Sequence, residues 1–141
     1  MEKKASAVWT GTLKEGQGTV STQSGALSNA PYGFNTRFEG VKGTNPEELI
    51  GAAHAGCFSM ALSAQLGNAN LKPEKIETTA TVTLEKLADG FTITAVHLDV
   101  TASIPSANNA DFEKAVQAAK SGCPVSKLLN AKISVNATLQ T

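Results

Sequence analysis

The sequence predicts an α+β fold over residues 1–141, and three patterns carry that prediction. A strong helix start at Gly43-Thr-Asn-Pro-Glu-Glu48 opens an apolar run to about Leu66. Apolar residues then alternate from Ile76 to Val100 around a turn at Ala88-Asp-Gly90. A second helical stretch and a last alternating stretch complete the chain. At 141 residues the chain has the length of one domain and can bury a core of its own. Hydrophobic content of 41% and charged content of 17% are ordinary for a globular protein.

Taken in order, Ala5 to Lys14 carries Val8, Trp9 and Leu13 and predicts a strand. Glu15-Gly-Gln-Gly18 is a turn, and Thr19 to Thr22 continues β-prone. Gln23 to Lys42 is a long connection rich in Gly, Ser and Asn, with a strand expected over Phe34 to Glu39. Asn45 is placed to cap the long helix, Pro46 suits its first position, and Glu47 and Glu48 complement its dipole. Apolar residues from Leu49 to Leu62 cover nearly its whole circumference, so burial within the domain or between subunits is expected. The alternation of the following hairpin loses phase near Ala95. Asn109 to Lys120 predicts a helix ended by Gly122, Pro124 opens a short helix to about Asn130, and Ile133 to Leu139 forms the last strand.

Charge and leader sequences exclude several classes. Lys plus Arg and Asp plus Glu are 12 each, so no net field attracts nucleic acid or anionic lipid. Leu49 to Leu62 is too short to span a bilayer. Met1 to Trp9 lacks the apolar stretch of a signal peptide, so the expected location is the cytoplasm. Cysteines there are kept reduced, and two of them are free thiols, metal ligands or catalysts.

The two cysteines sit in different settings. Cys123 precedes Pro124 at a predicted helix N-cap, where free N–H groups and the dipole favour a thiolate; filling space at a helix junction is the alternative. Cys57 lies in the apolar helix, where burial disfavours its thiolate and an inert small hydrophobe is the simpler reading. A nucleophilic Cys57 needs a fixed cation. Arg37, the only arginine among 12 basic residues, is the one candidate that cannot lose its charge, and Glu47 or Glu48 can hold it. His54, one turn before Cys57, can serve as base, as ligand or as a packing residue. No Cys-x-x-Cys or His-x-x-x-His spacing supports a metal site, and no Asn or Asp partner supports Cys–His hydrolysis.

Three stretches resemble one family: Pro31-Tyr-Gly-Phe-Asn-Thr-Arg-Phe-Glu-Gly40, the run from Gly43 to Leu62 containing His54-Ala-Gly-Cys-Phe-Ser-Met60, and Ala119-Lys-Ser-Gly-Cys-Pro-Val-Ser126. They are similar to the OsmC branch of the OsmC/Ohr thiol peroxidases, and the resemblance covers essentially the whole chain. It implies an OsmC-like fold, with antiparallel sheets around a long buried central helix in an intertwined homodimer. It implies reduction of organic hydroperoxides and hydrogen peroxide in stress defence, with no metal and no organic cofactor. The reductant it implies is a dithiol, a dihydrolipoyl protein rather than thioredoxin. Residue by residue, Cys57 matches the peroxidatic cysteine, Cys123 the resolving one and Glu47 the catalytic glutamate. The Ohr branch carries its arginine earlier, but Gly11 to Gly25 has none here and Arg37 stands in the OsmC-type position.

The implied cycle runs from a Cys57 thiolate through a sulfenic acid to a Cys57–Cys123 disulfide that an external dithiol reopens. Phe58, Met60 and the aromatics of the long connection are the expected pocket for an alkyl group. Two other classes remain: a non-catalytic binder of small apolar ligands, and an acyl or sulfur carrier using Cys57 alone. Glu47 precedes Cys57 by ten positions on one predicted helix, a rise of roughly 15 Å with the side chains about 80° apart. Glu47 therefore reaches the sulfur's neighbourhood only through Arg37 or from a partner subunit.

Overall fold

Alternation and helical spacing take effect in two units, Met1–Leu49 and Ile50–Thr141; the computed structural model describes all of residues 1–141. In the first unit, β1 (Ala5–Thr10), β2 (Gln17–Thr22) and β3 (Ala30–Tyr32) form an antiparallel sheet in that order. The turn between β1 and β2 is closed by Gly16 N–H donating to Thr12 O at 2.8 Å. A Cβ on Gly16 would lie 2.3 Å from that carbonyl, so only glycine fits. Trp9 and Tyr32 pack with ring centroids 5.5 Å apart.

The strand expected over Phe34 to Glu39 is a helix, α1 (Phe34–Phe38). Thr36 is the reason. Its Oγ1 accepts from Gly33 N–H at 2.8 Å and donates to Gly33 O at 3.0 Å, which winds the backbone into a turn that alternation does not reveal. The long helix α2 (Pro46–Asn68) begins as expected, with Asn45 Oδ1 accepting from Glu48 N–H at 2.8 Å.

In the second unit, β4 (Lys75–Leu87) and β5 (Gly90–Ser103) form the expected hairpin. The loss of phase near Ala95 is a bulge: Thr83 pairs with Ala95 and Leu84 with Ile93, leaving Thr94 as the extra residue. After α3 (Asn109–Gly122) and α4 (Pro124–Leu128), β6 (Lys132–Gln140) pairs parallel to β5. This corrects the expectation of purely antiparallel sheets. A strand that returns by way of two helices crosses over and enters in the same direction as its neighbour, which a hairpin cannot do.

The core of this unit lies between α2, β5 and α3. Phe58, Leu62 and Leu66, spaced four apart on α2, meet Val96, Leu98, Val100 and Ala102 from one face of β5 and Phe112, Ala115, Val116 and Ala119 from α3. Of the burial expected for α2, within the domain or between subunits, the single chain supplies one stripe. Gly51, His54, Phe58, Leu62 and Leu66 are buried in the single chain, while Ala52, Ala53, Gly56 and Met60 on other faces are exposed. At 23 residues, with an 18-residue stretch of mean hydropathy 1.3, α2 is also long and apolar enough to cross a membrane, more than Leu49 to Leu62 alone suggests. Its buried stripe is part of the core.

Phe58, fully buried, anchors that stripe. Phe58→Ala is expected to cost about 3–5 kcal/mol through lost apolar burial and a residual cavity. The shift of the urea unfolding midpoint at unchanged slope measures it.

Candidate active site

The two cysteines are the site's starting point. Cys57 lies on α2 beside the buried stripe, and Cys123 is the residue at which α3 stops and α4 starts. Cys123 N–H donates to Ala119 O at 2.8 Å to close α3, and its own carbonyl accepts from Lys127 N–H at 3.0 Å inside α4. Pro124 takes the first position of α4, as its sequence position predicts. The result is a fixed sulfur. Cys123 Sγ and Cys57 Sγ, 66 positions apart in sequence, stand 3.1 Å from each other as free thiols. Cys123 is fully buried and Cys57 partly so.

Their surroundings decide which sulfur holds the proton, since the distance admits either direction. For Cys57, burial pushes the thiol up, and its hydrogen bond to Cys123 pushes the same way; the Val125 N–H opposes them. For Cys123, burial also pushes up, but hydrogen bonds from Ser126 N–H, the Cys57 thiol, the Ser126 hydroxyl and Val125 N–H together bring it below its ordinary value. Cys123 makes no short capping bond of the kind an oxygen makes. The free amides at the α4 N-terminus still favour negative charge beside them. In the second unit by itself, the surroundings thus lower the pKa of Cys123 and raise that of Cys57.

His54 completes this cluster. It is the one fully buried polar side chain of the core, and its Nε2 lies 2.7 Å from Ser126 Oγ. Its Nδ1 is buried without a partner, and burial lowers its pKa. Ser59 sits one turn beyond Ala55, accepts or donates with Thr78 Oγ1 at 2.8 Å and ties α2 to β4. Spacing alone gives no sign of Ser126, because its partner His54 is 72 residues away.

In the first unit, Arg37 of α1 and Glu47 of α2's first turn form a forked ion pair. Arg37 Nε donates to Glu47 Oε1 at 3.1 Å and to Oε2 at 3.2 Å, and Nη2 donates to Oε1 at 2.5 Å. Of the two carboxylates that the sequence offers Arg37, Glu47 is the partner. The guanidinium carbon also lies 5.4 Å from the Phe38 ring centroid. Arg37 opens onto a cleft of about 320 Å³ walled by Trp9, Leu13, Tyr32, Phe34, Phe38 and Pro46. The expected alkyl pocket is corrected here. Aromatics of the connection do line a cleft, but Phe58 is core and Met60 is 76% exposed. No group of three or more His, Cys, Asp and Glu side chains is arranged to hold a metal ion.

Comparison with known proteins follows the same lines. The family described as OsmC-like protein matches residues 39–138. The chain is 54% identical over 141 residues to the Peroxiredoxin OsmC of Escherichia coli (strain K12), covering 100% of this chain and 99% of that one. It is 31% identical over 101 residues to the Organic hydroperoxide resistance protein of Xanthomonas axonopodis pv. citri, covering 71% of this chain and 69% of that one. Among solved structures, the organic hydroperoxide resistance protein OhrB of Bacillus subtilis superposes with a TM-score of 0.68 at 25% identity, covering 97% of this chain and 98% of that one. An OsmC-like protein from Mycoplasma pneumoniae shares the fold with a TM-score of 0.78 at 18% identity, covering 100% and 99%.

The burial of His54 has a consequence for acid stability. Its folded pKa is below its ordinary 6.5, so between those two values the unfolded chain binds a proton that the folded chain does not. Stability from this group is present above about 6.5 and is lost as pH falls towards the lower folded value. Urea midpoints measured across that window should decline for the wild type and decline less steeply for His54→Gln.

Proposed function

We infer the chemistry from the premise that the matches establish: the chain belongs to the OsmC family, and it is a cysteine-based peroxidase of stress defence. Its substrate is a hydroperoxide and its reductant a thiol. Beyond that, the reading we put forward assigns the roles. Cys57 is the peroxidatic cysteine and Cys123 the resolving one, and the observation that carries this is the 3.1 Å approach of their sulfurs. The Cys57 thiolate attacks the terminal oxygen of the hydroperoxide, the O–O bond breaks, and an alkoxide leaves to take a proton and become an alcohol. Cys123 then attacks the sulfur of the Cys57 sulfenic acid, hydroxide leaves to become water, and the disulfide awaits an external dithiol.

Arg37 is the group that makes Cys57 a thiolate. Cys57's own unit offers it one amide against burial and a neighbouring thiolate, so a permanent positive charge has to come from elsewhere. The same guanidinium can donate to the peroxide as charge moves onto the leaving oxygen. Glu47 holds its fork in place. The neighbouring aromatic cleft suits an alkyl group, which supports organic hydroperoxides over hydrogen peroxide as the better substrate.

The exposed apolar residues of α2 support a homodimer packed along this helix. In that dimer, Cys57 and Cys123 of one chain combine with the Arg37–Glu47 pair of the other. The family match spans both units, which supports one working OsmC-like domain over residues 1–141. The reductant proposed is a dihydrolipoyl protein, and the compartment the cytoplasm. Peroxide consumption with dihydrolipoamide or with thioredoxin as reductant, in wild type and Cys57→Ser, tests the central assignment.

Cys57→Ser should abolish turnover without unfolding the chain. Cys123→Ser should complete one turnover and leave Cys57 open to overoxidation or mixed disulfides, both readable by mass spectrometry. Retained turnover in Cys57→Ser refutes the mechanism. Arg37→Lys should lose about a hundredfold in kcat/KM despite keeping its charge, because an ammonium is not a planar fork; near-normal activity removes Arg37 from the site. A mixed dimer of Cys57→Ser and Glu47→Ala chains should recover about half of wild-type activity if sites are shared, since one site then regains both residues. If it stays as inactive as its parents, each chain carries a complete site.

A further inference from the structure

His54 is a costly residue to bury in a core that is otherwise apolar, and the mechanism so far gives it nothing to do. Its Nε2 meets Ser126 Oγ at 2.7 Å, and its Nδ1 is the one buried side-chain polar atom without a hydrogen-bond partner. Replacing both members of such a pair by apolar groups of similar size is close to neutral or stabilising, so stability alone gives no reason for it. Register does. Buried polar groups are best attested as devices that hold two helices at one height, where apolar packing tolerates several. The placement here fits that use. His54 and Cys57 are three positions apart on α2, and Cys123 and Ser126 are three positions apart at the start of α4. His54 meets Ser126 and Cys57 meets Cys123, so the two contacts are rungs between segments whose chain directions oppose. Each side of this ladder rises about 4.5 Å between its rungs, at about 1.5 Å per residue. A slide of α2 by one residue would move Cys57 Sγ by about 1.5 Å, roughly half of its 3.1 Å distance from Cys123 Sγ.

We propose that His54 and Ser126 are positioning residues for disulfide formation: their hydrogen bond locks the height of α2 against α4 and so holds Cys57 Sγ beside Cys123 Sγ. The proposal rests on the assignment of Cys57 and Cys123 as the peroxidatic and resolving pair. The reaction it serves is Cys57–SOH plus Cys123–SH giving Cys57–S–S–Cys123 plus water. The S–O bond breaks as the S–S bond forms, the thiol proton leaves with the hydroxide as water, and the peroxide has already supplied the oxidation. Neither the imidazole nor the hydroxyl needs to touch the reacting atoms in this role. What their bond contributes is proximity, because with α2 held the sulfurs need no search for each other. By linkage, the disulfide and the His54–Ser126 bond favour each other by the same factor. A hydrogen bond of ordinary net strength makes that factor about three- to tenfold.

Two variants test the pair. Ser126→Ala leaves the imidazole without a partner, while the double variant His54→Leu/Ser126→Ala removes both partners and puts a leucine in the apolar stripe. Urea midpoints should fall for the single variant and return to the wild-type value or above it for the double. With one equivalent of cumene hydroperoxide, sulfenic acid formation is the internal reference, since it precedes any bond between the sulfurs. The rate of disulfide formation relative to that reference should fall about three- to tenfold in both variants, including the double whose stability has recovered. The effective concentration of the two thiols, read from equilibrium with reduced and oxidised glutathione, should fall by the same factor. A purely structural role would let the rate recover with the stability. If the double variant forms its disulfide at the wild-type relative rate, or stays as destabilised as Ser126→Ala, the proposal is overturned. The wild type separates the two levels. If it forms no Cys57–Cys123 disulfide with one equivalent of peroxide, the pair assignment itself falls; if it does and the double variant matches it, the register role alone falls.

Discussion

Two sulfurs 3.1 Å apart set the terms for the second unit. That approach exists because the link from β5 to parallel β6 is a crossover built as two helices, broken at Cys123 by Pro124. A single uninterrupted helix would bury a thiol there but would not aim free amides at it. The break converts the C-terminal end of α3 and the N-terminal end of α4 into one corner, and Cys123 occupies the corner. On the other side, the four-residue spacing of His54, Phe58, Leu62 and Leu66 fixes the rotation of α2. Cys57, one position before Phe58, is held by the same packing.

This geometry favours the wrong sulfur if left alone. The start of α4 brings the Cys123 thiol below its ordinary pKa, while burial and the neighbouring sulfur push the Cys57 thiol up. On the proposed roles, the first step needs a positive charge at Cys57, and nothing that shifts the pKa of Cys57 within the second unit is a cation. The forked Arg37–Glu47 pair has the right chemistry. Its carboxylate fixes the guanidinium plane through Nε and Nη2, and the rest of the fork stays available to a sulfur or an oxygen.

The sequence shows local features well and pairings poorly. The α2 cap at Asn45, the α4 start at Pro124 and the bulge near Ala95 each leave a signature within a few residues. The helix at Phe34–Phe38 was hidden because Thr36 acts through its hydroxyl on Gly33, which apolar alternation cannot register. The parallel entry of β6 was hidden because strand direction depends on how the two intervening helices cross, and no residue records it. Cys57, Cys123, Arg37 and Glu47 were legible as chemistry, and Glu47 was one of two candidates for Arg37. Ser126 was not, since it matters here through a partner 72 positions away.

One buried polar contact ties the two sides of this corner together. His54 of α2 meets Ser126 of α4 at 2.7 Å, one turn before Cys57 on one side and three positions after Cys123 on the other. The apolar stripe of α2 sets the rotation of that helix but resists sliding poorly, since one leucine packs much as the next does. A hydrogen bond has a narrow range of length and direction, so it fixes the height of α2 against α4 as well. The 3.1 Å approach of the sulfurs needs both settings at once.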